Sequence, residues 1–142
     1  MIEVAVTTLI LVCCAPTSPI NHWHLLHGIY PGHGNDVEAM KRVAAPLQQL
    51  AKAGWEPITQ ARAEPATVRL ERFGNAPELF LVAHNPTREA VTASIAVDLK
   101  ALAMDGAVVT ATLAGRELPV SNGKVSLALA PQATEMLRLR RP

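Results

Sequence analysis

The chain has 142 residues, 49% of them hydrophobic, with 13 basic against 12 acidic residues and a net charge of +1. That length fits one domain, or a small domain with an appendage, and the apolar content excludes intrinsic disorder. The near-neutral charge excludes an electrostatic nucleic-acid binder. With only 4% aromatics, the core must be built from Ala, Val and Leu. Cys13 and Cys14 are adjacent, a spacing that strains a mutual disulfide. No Cys/His spacing of the zinc-site type occurs, and no metal or cofactor is expected.

Residues 1–21 hold the apolar run "VAVTTLILVCCAP". Its β-branched residues fit a buried strand or a non-native N-terminus, and its length fits a cleaved leader for export. Glu3, with no Lys or Arg beside it, has the wrong sign for a leader. The run is also shorter than a bilayer span, so no membrane partner is expected.

Residues 22–65 open with "HWHLLHGIYPG", which reads as an extended segment over 23–30 stopped by Pro31-Gly32. Asn35 is a suitable N-cap, with Asp36 and Glu38 favouring the helix start. Val37, Met40, Val43, Leu47 and Leu50 recur at helical spacing, and Gly54 supplies the C-cap. Pro46 is expected to kink or divide this helix. Strand, tight loop and helix together are half of a βαβ unit, which needs a sheet partner.

From about residue 66 the hydrophobic period falls to two. Alternation marks strands near 68–71, 79–85, 91–99, 109–113, 125–129 and 136–139. Turn signals fall between them at Gly74-Asn75, Asn85-Pro86-Thr87, Asp105-Gly106, Asn122-Gly123 and Pro131-Gln132. Short strands at regular spacing with no helical pattern between them specify an antiparallel β-sandwich over 66–142. Arg138, Arg140 and Arg141 alternate with leucine there, as on the solvent face of a last strand. The expected fold class is therefore mainly β, with a C-terminal sandwich behind a strand–loop–helix segment.

The stretches "LVAHNPTREAVTASIAVDLKAL" and "LPVSNGKVSLALAPQATEMLRLR" resemble the C-terminal sandwich of multidomain glycoside hydrolases. "HGIYPGHGNDVEAMKRVAAPLQQLAKAGWEPIT" is similar to the last strand, loop and helix of the (β/α)₈ barrel that carries such a sandwich. The resemblance runs from about residue 22 to the end. It implies the tail of a barrel enzyme plus its accessory domain, since a barrel alone takes about 250 residues. The missing barrel would then be the packing partner and carbohydrate the ligand of the intact enzyme. In a barrel, residues after strand ends face the substrate, which would make Tyr30, His33, Asn35 and Asp36 sugar-binding.

A complete catalytic apparatus is not legible. Glycosidases generally need two facing carboxylates, whereas Glu71, Glu78, Glu89, Asp98, Asp105, Glu117 and Glu135 scatter over strands and turns. In Glu56-Pro57 and Glu64-Pro65, Trp55 and Ala63 replace the Asn of the barrel acid motif, and both pairs follow a helix rather than ending a barrel strand. His22, His24, His27 and His33 have no completing Cys or carboxylate. The serines sit in no Gly-x-Ser-x-Gly setting. A stand-alone module that binds glycan or protein is the alternative, though Phe73 and Phe80 are its only aromatics after residue 66. An exposed helix stripe, or an exposed Trp55, would favour a missing barrel.

Overall fold

The computed structural model describes residues 25–28 and 37–142, the side chains of 37–40 and 42 excepted. The apolar run at the N-terminus lies outside the described residues. Helix α1 spans Val37–Ala53. Ten strands follow among the described residues: β1 Trp55–Glu56, β2 Ala61–Glu64, β3 Arg69–Asn75, β4 Glu78–His84, β5 Val91–Val97, β6 Val108–Ala111, β7 Arg116–Leu118, β8 Val120–Ser121, β9 Lys124–Leu129 and β10 Thr134–Arg140. They form a six-stranded sheet, β1-β3-β4-β10-β6-β7, and a four-stranded sheet, β2-β5-β9-β8. Every pairing is antiparallel. The protein is mainly β, as its alternation requires.

Strand side chains alternate between faces, and here the alternation feeds two cores. Leu79, Leu81 and Ala83 of β4, with Leu137 and Leu139 of β10, enter a core between the sheets alongside Ala93, Ile95, Val125 and Leu127. Phe80, Val82 and Met136 point the other way. With Phe73 they meet Val43, Leu47 and Leu50 of α1 and Leu25 and Leu26 of the turn before it. Strands β4 and β10 are thus covered on both faces. Strand β5 is covered on one, its outward Thr92 remaining exposed.

Helix α1 runs unbroken through Pro46, against the division expected there. Val43 precedes the proline and Leu47 and Leu50 follow it, all buried in one core, and that shared burial outweighs one lost backbone bond. Gly54, at φ +82°, donates its N–H to the Leu50 carbonyl at 2.9 Å and ends the helix as expected.

Residues 25–27 are not extended. They form one helical turn closed by Gly28 N–H donating to the Leu25 carbonyl, which lets the adjacent Leu25 and Leu26 both reach the core. An extended strand would have sent them to opposite faces.

The β3–β4 turn is Ala76-Pro77 rather than Gly74-Asn75. Gly74 instead lies within β3 at φ +80°, its N–H bonded to the Gly54 carbonyl at 2.7 Å, and an added Cβ there would come 3.1 Å from the Ala53 Cβ. Asn122 and Gly123 both take positive φ and close the β8–β9 hairpin, as that dipeptide predicts. The sheets also begin ahead of residue 66, since β1 pairs with β3 and β2 with β5. No helix among the described residues is long and apolar enough to cross a membrane.

Candidate functional site

Tyr30, His33, Asn35 and Asp36 lie outside the described residues, between Gly28 and the first residue of α1. His22 and His24 lie outside them too. His27 is half-buried on the turn. Burial pushes its imidazole below the ordinary histidine value, Glu71 pulls it back up, and Arg69 pushes it down. Among the described residues no group of three or more His, Cys, Asp or Glu side chains could hold a metal ion.

Four acids of the sandwich hold backbone and neighbours. Glu135 is buried, and its carboxylate accepts from Leu113 N at 2.8 Å, Ala114 N at 3.1 Å and Met136 N at 3.0 Å. It thereby satisfies the tip of the β6–β7 turn. Asp98 Oδ1 accepts from Ala101 N at 2.9 Å and fixes the turn after β5. Glu78 pairs with Arg138 on adjacent strands. Glu56 pairs with buried Arg72 at 3.5 Å and accepts from Asn75 Nδ2 at 2.6 Å. The Arg72 Nε also donates to the Ile58 carbonyl at 2.8 Å, tying the β1–β2 connection to the sheet.

The Asn85-Pro86-Thr87 segment is structural as well. Fully buried Asn85 donates Nδ2 to the carbonyls of Glu89 and Ala130, at 2.8 and 3.0 Å. Its Oδ1 accepts from Thr87 N and Thr87 Oγ1, at 3.1 and 2.7 Å. One side chain thus fastens the turn between β4 and β5 to the loop before β10. His84, buried at the end of β4, stands 2.9 Å from Thr134 Oγ1 through Nδ1.

Two surface features remain. A shallow open hollow of about 300 Å³ is lined by Gln60, Ala61, Arg62, Ala96 and Asp98, with no aromatic ring. At the other sheet's edge, Trp55 is 50% exposed, and its Nε1 donates to Glu71 Oε2 at 2.8 Å. The register sets Trp55 opposite Phe73, which makes Glu71 its diagonal neighbour on the same face. Sequence reasoning left Glu71 among the scattered acids. The link depends on a two-residue strand whose composition carries no alternation. Val43, Leu47 and Leu50 of the helix stripe are buried against the sheet, whereas Trp55 is open.

No protein-family model and no curated protein sequence matches the chain. Solved structures do match. A putative α-N-acetylgalactosaminidase from Bacillus halodurans aligns over 87% of this chain and 30% of its own, with a TM-score of 0.57 and 12% identity. A GH27 β-L-arabinopyranosidase from Geobacillus stearothermophilus aligns over 85% and 30%, at 0.54 and 16%. An Anoxybacillus α-amylase aligns over 80% and 25%, at 0.54 and 17%. The fold resembles that of part of each of these glycoside hydrolases. The chain spans about a quarter to three tenths of the length of these enzymes, and at such identities the likeness is one of fold.

Proposed function

We propose that the chain is a non-catalytic module of a carbohydrate-active enzyme of the glycoside hydrolase type. The β-sandwich over 66–142, with β1 and β2 added to its sheets from ahead of it, is its structural accessory domain, and the segment from residue 22 to the end of α1 is the end of a (β/α)₈ barrel that serves as its packing partner. In the intact enzyme Tyr30, His33, Asn35 and Asp36 would contact carbohydrate at the mouth of that barrel. The observation that carries this reading is the fold match to about a quarter to three tenths of three glycoside hydrolases. The roles of Glu135, Asp98, Glu78 and Glu56 agree with it, because carboxylates committed to backbone and arginine are poorly placed to transfer protons across a glycosidic bond.

The test is turnover. The purified 142-residue chain is incubated with a panel of nitrophenyl glycosides and with soluble polysaccharides. No release of nitrophenol or reducing ends is expected. Hydrolysis that follows the chain through purification, and is lost on a single Glu→Gln substitution, would sink the non-catalytic reading. In a longer polypeptide carrying a barrel ahead of residue 22, Tyr30→Ala and His33→Ala should raise KM for the sugar substrate. Unchanged kinetics in both variants would remove them from the sugar site.

A further inference from the structure

We propose that the Trp55 edge of the six-stranded sheet is a stacking subsite for one pyranose ring, a deepening that rests on the carbohydrate-enzyme reading above. Three features of the edge support it.

Trp55 is pinned. Its single donor is satisfied by Glu71 Oε2 at 2.8 Å, and the residue opposite it in the register, Phe73, is buried in the helix-side core. The rotational freedom that a loose surface tryptophan would lose on binding is already restricted. The residue nevertheless remains half exposed to water, leaving part of the ring free for a ligand.

The surroundings are polar. Arg69 and Glu71 alternate with Phe73 along one face of β3, the face that Trp55 shares through the register, which sets a guanidinium and a carboxylate on the plate's side of the sheet. A carboxylate offers about four lone-pair positions, so Glu71 can hold the indole and still accept from a ring hydroxyl. A pyranose has a face of C–H groups that suits an indole and a rim of hydroxyls that suits such neighbours.

Two of the other exposed apolar side chains among the described residues lie far from the plate. Val108 and Leu113 belong to β6 and the turn after it, three strands from β3 in the sheet. Ile58 is 63% exposed, and its backbone carbonyl accepts from Arg72 Nε. Protein-docking surfaces are contiguous apolar patches, and a single indole with charged neighbours on its own strand face, as the described residues show it, favours one small ring. One stacked ring gives an affinity on the order of millimolar.

The experiment is an NMR titration of the 142-residue chain with methyl β-D-galactopyranoside, methyl β-D-xylopyranoside and maltotriose. The Trp55 indole N–H resonance, identified by its loss in Trp55→Phe, reports the site. Its hydrogen bond to Glu71 makes it sensitive to a ring laid on the plate. At least one sugar should shift it saturably and show saturation transfer to its ring C–H protons. Trp55→Ala should weaken binding about tenfold or more, Trp55→Phe should retain part of it, and Glu71→Gln should fall between. A dispersed spectrum in each variant separates lost binding from lost fold.

An indole that stays still with all three sugars overturns the subsite. So does binding that survives Trp55→Ala. Concentration-dependent self-association abolished by Trp55→Ala would assign the edge to a contact between chains and equally overturn it. The hydrolase-module reading stands or falls separately, on the turnover assay.

Discussion

Asn85 makes four hydrogen bonds from a fully buried position, and their arrangement explains why an amide stands there. Two carbonyls need donors and a Thr87 N–H and hydroxyl need an acceptor. An amide supplies both from one side chain. Asn85→Ala strands those groups away from water and should cost about 2–4 kcal/mol in urea unfolding. A loss under about 0.5 kcal/mol, the level of an ordinary surface change, would mean that water replaces the amide and that the turn does not depend on it. The sequence marks this segment as a turn, correctly, but its residue types cannot reveal that Ala130, 45 positions later, is one of the partners.

His27 carries a pH dependence of definite sign. Burial favours its neutral form, so its value in the folded chain lies below the ordinary 6.5. At a pH above 6.5 both folded and unfolded chains hold the imidazole neutral, and the stability it contributes is fully present. As pH falls through 6.5 towards the folded value, the unfolded chain takes up the proton first and that stability is lost. Denaturation midpoints should therefore fall between neutral and mildly acidic pH, and the fall should be smaller in His27→Gln. An identical pH profile in the variant would show that other groups carry it.

At the scale of elements, the helix is the most legible piece and the short strands the least. Val43, Leu47 and Leu50 at helical spacing announce a stripe, and the structure buries all three. What the pattern cannot disclose is that Val43, Leu47 and Leu50 pack on the outer face of the six-stranded sheet. Leu50→Ala should destabilise the chain by about 2–5 kcal/mol, and Gln49→Ala, on the exposed side of the same turn, by less than about 0.5. Comparable losses for the two would mean that the helix lies loosely on the sheet.

Strands β1 and β2 are two and four residues long, in a region broken by Pro57 and Pro65. Their pairing with β3 and β5 comes from the sheets already being there, and such tertiary selection leaves no period to read. The same reason accounts for the helical turn at 25–27, where two adjacent leucines reach one core. The sequence-derived site residues Tyr30, His33, Asn35 and Asp36 rest on resemblance alone, whereas Trp55 and Glu71 become neighbours only through strand register.

For the whole molecule, the decisive feature is that β4 and β10 serve both cores at once. Alternate residues of one strand, Leu79, Leu81 and Ala83 against Phe80 and Val82, enter different clusters. Removing α1 would expose Phe73, Phe80, Val82 and Met136, all at 5% exposure or less. At about 1.5–3 kcal/mol for each such side chain, that loss rivals the roughly 5–15 kcal/mol that keeps a domain folded. The helix therefore cannot leave while the sandwich stays. In native-state hydrogen exchange, amides in the second half of α1 should open with the same free energy as those of β4 and β10, and respond to denaturant with the same slope. Helix amides that exchange several kcal/mol more easily than the strands would show α1 to be an adjunct laid on an autonomous sandwich. The helix would then be the natural element to exchange its packing for another domain.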